Sequence, residues 1–523
     1  MFNTTTKKLL RRLILIGGAC LFAGAICAQQ DGNKALLDLL VRKGVITSQE
    51  AADLQKELAQ PAPAPAPAPA PAAAASGASA AIPASAMVNK DGKSPLSFRI
   101  GVADFTPLGF VDFTTVYRST NVGSGIGTNY ASIPYSNTTA GQLSETRFSA
   151  QNSRIGLRID SQVNDTKVLG YLETDFLGNA ANTLNISSNA ATMRMRAYFA
   201  DLKWNDFEFL AGQDWSMLTP NRKGISPIPG DIFYTMNMDT NYQAGLVWAR
   251  QPQVRLVYHP SKELTFGVAA ENPEQYGGGG NGAPAVTFPS AFSSGQVGTG
   301  AATSTPNPAP DFIAKAAYDT KVNDLAWHFD VAGLMSSYKV NTLAGSVNSN
   351  SSATGTGALV SANIELIKGL TAVGMGYWSS GGGRYIFGQA PDFAIRPADA
   401  NGVYSIAPIK ANSYLGGLEW QAAPKSTLFS YYSTVDIGRK FFQLSNGSYV
   451  GYGFPGSANS NNRRITEFTL GETQTLWKNP AYGALQIITQ YSHVERQPWY
   501  VAAGAPSQAR ADMVFVDLRY VLP

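Results

Sequence analysis

The chain has 523 residues, 44% hydrophobic and 11% aromatic, with 51 glycines and 30 prolines. Its formal charge of +4 comes entirely from Lys7, Lys8, Arg11 and Arg12, which leaves 36 basic side chains against 36 acidic ones and excludes bulk attraction to nucleic acid. The two cysteines, Cys20 and Cys27, precede residue 29, so no disulfide framework, thiol nucleophile or cysteine metal site is available beyond it, and no cofactor is expected.

The four basic residues precede an apolar run from Leu13 to Ile26, and Ala28 supplies a small residue ahead of Gln29. This is the pattern of a secretory signal peptide over residues 1–28. The run is shorter than the ~20 residues of a spanning helix, and neither cysteine has the leucine three residues ahead that a lipid anchor needs. No later stretch holds about 18 consecutive apolar residues, so any membrane crossing beyond the signal must be made by strands.

Residues 29–60 predict a small helical hairpin. Leu36, Leu37, Leu40 and Val41 share a face that stops at Gly44, and Thr47 with Glu50 forms a capping-box pattern ahead of Ala51, Ala52, Leu54 and Leu58. So few apolar side chains bury no core alone. The hairpin is therefore expected to pair with copies of itself, with peptidoglycan or with another periplasmic partner; a partly helical tail is the alternative. Pro61 to Pro71 alternate Pro and Ala, and the tract over residues 61–96 is expected to be an extended linker, its Pro-Ala part reaching roughly 30 Å.

Residues 97–523 read as an all-β transmembrane barrel, a 16-stranded antiparallel architecture. The expected strands are 108–118, 147–163, 167–177, 192–204, 207–215, 243–259, 264–272, 311–319, 325–338, 357–366, 370–378, 412–421, 426–437, 464–477, 482–496 and 511–522. Short turns such as Asn164-Asp165-Thr166 and Asn205-Asp206 alternate with long connections at 119–146, 178–191, 216–242, 273–310, 339–356, 379–411, 438–463 and 497–510. Gln251-Pro252 could itself be a turn, but keeping 243–259 whole preserves an even count. Long loops on one rim and short turns on the other are the asymmetry of an outer-membrane barrel in a Gram-negative bacterium.

Alternation says which face is wet. In the last strand Val514, Val516, Leu518, Tyr520 and Leu522 alternate with Met513, Phe515, Asp517, Arg519 and Val521. Ile155, Leu157 and Ile159 oppose Arg154, Arg158 and Asp160; Val168, Leu172 and Phe176 oppose Tyr171, Glu173 and Asp175. Met193, Met195, Ala197 and Phe199 oppose Arg194, Arg196 and Tyr198. A charge facing lipid costs ~2 to 4 kcal/mol at the bilayer midplane, so the apolar set is expected outside and the charged set inside.

A sixteen-strand barrel is too wide to be filled by its own side chains, so it holds a channel unless something plugs it. Ser216 to Tyr242 contains Pro220, Gly224, Pro227, Pro229 and Gly230, and a loop stiffened in this way can fold inward and narrow the lumen; an ordinary surface loop is the alternative.

The strings SRIGLRID from Ser153, GYLETDF from Gly170, AGQDWSMLTP from Ala211, RQPQVRLVYHP from Arg250 and VDLRYVLP from Val516 resemble Gram-negative porins, most closely the DcaP-like group, over roughly residues 97 to 523. The resemblance implies a homotrimer of barrels in outer-membrane lipid, a third external loop that constricts each pore, and an arginine-lined eyelet that favours small hydrophilic anions. Carried onto this chain, the pore-lining candidates are Arg154, Arg158, Arg194 and Arg196 on the wall, Arg222 and Lys223 on the loop, and Glu173 and Asp175 facing them. The alternative for any one arginine is a pairing with the wall acids that merely holds the loop. Two departures stand out: the chain ends in Pro523 rather than phenylalanine, leaving the assembly signal to Tyr520 and Leu522, and the hairpin is shorter than a long trimerising coiled coil.

Two other classes compete with a porin. An outer-membrane hydrolase would need a nucleophile motif, yet His259, His328 and His493 lie in none, and the glycine run 277–280 has no lysine or helix after it. A structural tether would anchor the arm to the cell wall while the barrel holds the membrane.

Overall fold

The computed structural model describes residues 94–178, 191–233, 235–280, 283, 285–299 and 305–523. The expected signal peptide and helical hairpin, and the linker as far as residue 93, lie outside the described residues. The described chain forms a closed antiparallel barrel of sixteen strands. They are β1 (Ala103–Arg118), β2 (Glu145–Ser149 and Arg154–Val163), β3 (Thr166–Gly178), β4 (Thr192–Trp204), β5 (Phe207–Trp215), β6 (Arg250–Tyr258), β7 (Leu264–Glu271), β8 (Asp311–Val322), β9 (Leu325–Ala344), β10 (Val347–Ile367), β11 (Leu370–Ser380), β12 (Lys410–Ala423), β13 (Ser426–Ile437), β14 (Asn462–Asn479), β15 (Gly483–Pro498) and β16 (Ala509–Val521). Each pairs with its neighbours in chain order, and β16 closes the ring on β1 through the register Phe110↔Val521 to Arg118↔Met513. Phe98–Ile100 folds back on the start of β1.

The tight turns follow from their residues. Asn164, Asn205, Asn323 and Asp324 all take positive φ, which asparagine and aspartate tolerate because the short polar side chain bonds locally, and which suits a two-residue hairpin. Period-two alternation then fixes the faces. On β16 Val516 is 45% exposed while Asp517, one residue on, is fully buried inside. Trp327 and Val331 on β9, and Tyr414, Leu418 and Trp420 on β12, likewise point outward, opposite buried His328, Asp330 and Glu419. A continuous apolar outer face on a sheet with no free edge is a surface made for lipid.

Three sequence expectations are corrected. Strand 243–259 begins at Arg250, because residues 243–249 belong to the preceding loop; Gln251-Pro252 is no turn, since both residues pair with β5. On β4 the outward set does not run through Ala197 and Phe199. A β-bulge there breaks the register between Glu173↔Ala197 and Thr174↔Met195, so Arg196 and Ala197 both face inward and Phe199 is buried on the lumen side. Gln213 of β5 donates to the carbonyls of Met195 and Arg196 at 3.1 and 3.2 Å, satisfying the backbone that the bulge displaces. Finally, the expected loop 339–356 is no loop. Beyond Met335 and Thr356, where β8 and β11 stop pairing with them, β9 and β10 continue as a two-stranded ribbon to a turn at Gly345.

The lumen carries a core of its own. Met217, Leu218, Phe233, Met236, Met238, Leu246 and Val247 of the loop after β5 are buried against Tyr377, Phe429, Tyr431 and Phe515 of the wall. A second cluster, above the wall, joins Tyr338 and Val340 of the ribbon to Phe292 and Val297 and to the small hairpin Phe393–Arg396 with Ser405–Pro408.

Candidate functional site

The loop after β5, residues 216–249, crosses the interior and is tied to most of the wall. Near its start the Met217 N–H donates to Glu271 of β7 at 2.7 Å, the Asn221 N–H to Asp330 of β9 at 2.8 Å and the Gly224 N–H to Asp319 of β8 at 2.9 Å. Arg222 makes a two-pronged bond to Glu419 of β12, both contacts 2.7 Å, with its guanidinium over Phe233. Further along, the Met236 N–H donates to Tyr431 of β13 at 2.6 Å, Asn241 to Glu467 of β14 and Ser492 of β15, and the Ala244 N–H to Glu467 at 2.6 Å. Among the described residues the segment pairs its own backbone only at one antiparallel bridge, Asn221 with Ile232, and in a few turns, so other N–H groups look to the wall. The wall supplies those partners as carboxylate and hydroxyl oxygens that accept the loop's backbone N–H groups.

Opposite β13 to β15 lies a cluster of charges. Arg196 contacts Glu173 at 2.5 Å and Asp175 at 2.8 Å, and Arg194 contacts Asp175 at 2.6 Å. Arg154 reaches Asp239 of the loop at 3.1 Å and Glu173 at 3.8 Å. Arg519 of β16 joins from the other side, at 2.7 Å from Asp112 and 3.3 Å from both Asp239 and Asp517. The Phe110 ring is within reach of two guanidiniums, 5.0 Å from Arg154 and 4.1 Å from Arg519. Burial alone would raise the Asp239 carboxyl; Arg154 and Arg519 outweigh it and hold Asp239 below the usual carboxylate range. Asp239 thus fastens the loop to the arginine wall as a charged carboxylate.

The structure brings Arg154, Arg194, Arg196, Glu173 and Asp175 together and separates the rest. Arg158 pairs with Asp160 lower on β2 at 2.7 Å, Arg222 is engaged by Glu419 across the barrel, and Lys223 is exposed. Only Arg158 and Arg194, 32% and 35% exposed, reach solvent appreciably among the four wall arginines; Arg154 and Arg196 are largely covered.

Above the cluster is a cavity of about 760 Å³, lined by residues 124–130, by Arg194, Asp239, Tyr242, Trp248 and Arg250, and by Glu274, Arg384 and Phe387 from later loops. Arg250 is the residue the sequence reading missed. Its guanidinium lies 5.3 Å from the Trp215 ring, its Nη1 has no hydrogen-bond partner, and it makes no ion pair among the described residues. Nothing in its sequence neighbourhood marks it, because its position depends on where β6 begins. Asp239 and Arg519 were more findable: Asp239 is one of two acids between Ser216 and Ala249, and Arg519 stands on the inner set of the last strand.

Solved structures share this architecture. The outer-membrane channel DcaP of Acinetobacter baumannii superposes with a TM-score of 0.52 over 81% of this chain and 99% of its own, at 17% identity. The fold is that of an outer-membrane porin. An anion-selective porin from Comamonas acidovorans aligns over 80% of this chain and 100% of its own with a TM-score of 0.45 and 12% identity. No protein-family model and no curated protein sequence matches the chain. A closed porin barrel with a lipid-facing apolar belt belongs in the outer membrane of a Gram-negative bacterium.

Proposed function

We propose that the protein is a passive diffusion channel for small hydrophilic solutes, working as a homotrimer and favouring anions. The observation that carries the reading is the pairing of a loop folded across the lumen with two arginines lining the cavity it leaves: solvent-reaching Arg194, and Arg250, whose buried Nη1 has no hydrogen-bond partner among the described residues. Fixed charges at a narrow passage select solutes by sign and hold them weakly enough for release, whereas charges elsewhere on a neutral protein are screened within ~8 Å at physiological salt. Arg154 and Arg196 serve this arrangement indirectly, spending their charge on the wall acids and on Asp239.

Planar-bilayer recording under a salt gradient tests the reading. Conductance in steps of three and a reversal potential on the anion side are expected, and replacing Arg194 and Arg250 together by alanine should move that potential toward cations. A barrel that inserts without conducting would overturn the channel; an unmoved potential would overturn the assignment of selectivity to these two residues.

A further inference from the structure

The same loop is fastened at its other end by a group that can lose a charge. His328, 3% exposed as a side chain, stands on β9 between two carboxylates: its Nδ1 is 2.8 Å from Asp319 Oδ1 and its Nε2 is 3.4 Å from Asp330 Oδ2. Each of those carboxylates also accepts a loop backbone N–H, Asp319 from Gly224 and Asp330 from Asn221. Lys315 of β8, buried, reaches Asp330 at 3.1 Å and donates to the Thr219 carbonyl at 2.8 Å and to Asn221 Oδ1 at 2.7 Å.

The groups around His328 can be named element by element. On β8 they are Asp319 and Lys315, and on its own strand Asp330. On β10 Asn363 stands opposite it in register and donates to the Asn221 carbonyl, with Glu365 two residues along. The loop brings Lys223 and Asp231 to the same corner, Asp231 feeling the charges of both Lys223 and Asp319. Taken as ions, Asp319, Asp330, Lys315 and an imidazolium balance. With a neutral imidazole they do not, and one ring nitrogen then turns a lone pair toward a carboxylate oxygen, because a neutral ring donates from one nitrogen only. An unbalanced buried charge and a lost charge-assisted hydrogen bond both disfavour the arrangement.

We propose that His328 is a pH-sensitive pin for the constricting loop: protonated, it bridges the two carboxylates that hold residues 221–224 to the wall, and deprotonated it releases one of them. The Arg222 pair with Glu419 of β12 and the anchors on β13 to β15 do not involve His328, so what its deprotonation frees is confined to the backbone contacts of Asn221 and Gly224.

The inference rests on the channel reading, and single-channel recording separates the two. Transient closures of the open pore should be rare near pH 6 and about tenfold more frequent near pH 9, the lower end of what losing one charge-assisted hydrogen bond gives. His328→Gln, a neutral donor, should show the high frequency at both values, and His328→Arg, a permanent cation, the low one at both. Absence of all conductance would sink the channel; a conducting pore whose His328→Gln variant keeps the wild-type pH profile would sink the pin. A tether covers the case in which these variants do not fold. A Cβ at Gly224 would lie 3.6 Å from Thr265 Oγ1, so Gly224→Cys with Thr265→Cys brings two sulfurs within reach and can lock the arm to β7 with His328 in place, at the cost of a side chain on a left-handed backbone of φ +50°. Oxidation should abolish the closures at pH 9 and reduction restore them; closures indifferent to the lock would place the motion elsewhere and overturn the proposal.

Discussion

Residues 216–249 and residues 336–355 leave the barrel from the same rim and go opposite ways. The first drops into the lumen and packs on the far wall; the second rises as a ribbon above it. Their sequences differ in what they can pair with. Pro220, Pro227 and Pro229, with Gly224 among them and Gly230 after, limit the first segment, among its described residues, to a single antiparallel bridge at Asn221 and Ile232 and a few turns, and other backbone donors go to carboxylates and hydroxyls that the wall presents inward. The second has no proline and keeps an alternation, with buried Tyr338, Val340 and Thr342 against Lys339, Asn341 and Leu343, so the ladder simply continues past the point where the neighbouring strands end. Its free edge is covered by side-chain amides: Gln275 accepts from the Lys339 N–H, and Gln296 both accepts from and donates to the backbone of Asn341. The contrast teaches that a long connection between barrel strands is not one kind of object. Where backbone donors and acceptors can go decides whether it becomes a plug or a ribbon.

Substitutions can test that contrast in order of expected effect. Glu419→Ala removes the carboxylate from a buried, two-pronged ion pair with Arg222 and should cost about 3 to 5 kcal/mol of loop docking, seen as a lower heat-modification temperature together with a larger, noisier conductance. A quiet channel of native size would mean that the loop is held without its charges. Tyr338→Phe, at the root of the ribbon, deletes a hydroxyl that donates to the Gly381 carbonyl and lies 3.1 Å from Asp392, and should cost about 1 to 2 kcal/mol in chemical denaturation while leaving conductance unaltered. A change in conductance there would show that the ribbon reaches into the permeation path. The smallest effect is expected from shortening the ribbon by joining Thr342 to Ser349, partners in register, through Asn-Gly. Stability should stay within about 0.5 kcal/mol and single-channel current should be unchanged. Loss of insertion on shortening would give the ribbon a part in assembly that its position above the wall does not suggest.

Much of the barrel was legible because alternation is local. Each strand's faces follow from residues two apart, and the cost of a charge in lipid makes the choice of face nearly binary, so the even strand count and the inward arginines of β2 could be read from the chain. The candidate site was legible only in part. Arg154, Arg194, Arg196, Glu173 and Asp175 do meet, but which of them faces solvent depends on Asp239 arriving from a loop more than 60 residues away from β3, and on Arg519 arriving from the other end of the chain. The β4 bulge was invisible for the same reason. Nothing in Met193 to Phe199 announces an extra residue; the register against β3 and the Gln213 side chain that caps it are needed to see it.

The sequence by itself determined a closed lipid-facing sheet, an inward-facing set of charges and a loop stiffened by proline and glycine so that it can fold inward. Each of these rests on interactions within a few residues, or on the solvent a face must meet. Only the tertiary structure decided which charges are spent on one another, that Arg250 is left without an ion pair among the described residues, and that His328 sits between the two carboxylates holding the loop. These are pairings between distant parts of the chain, and a buried charge takes its meaning from the partner that packing brings to it.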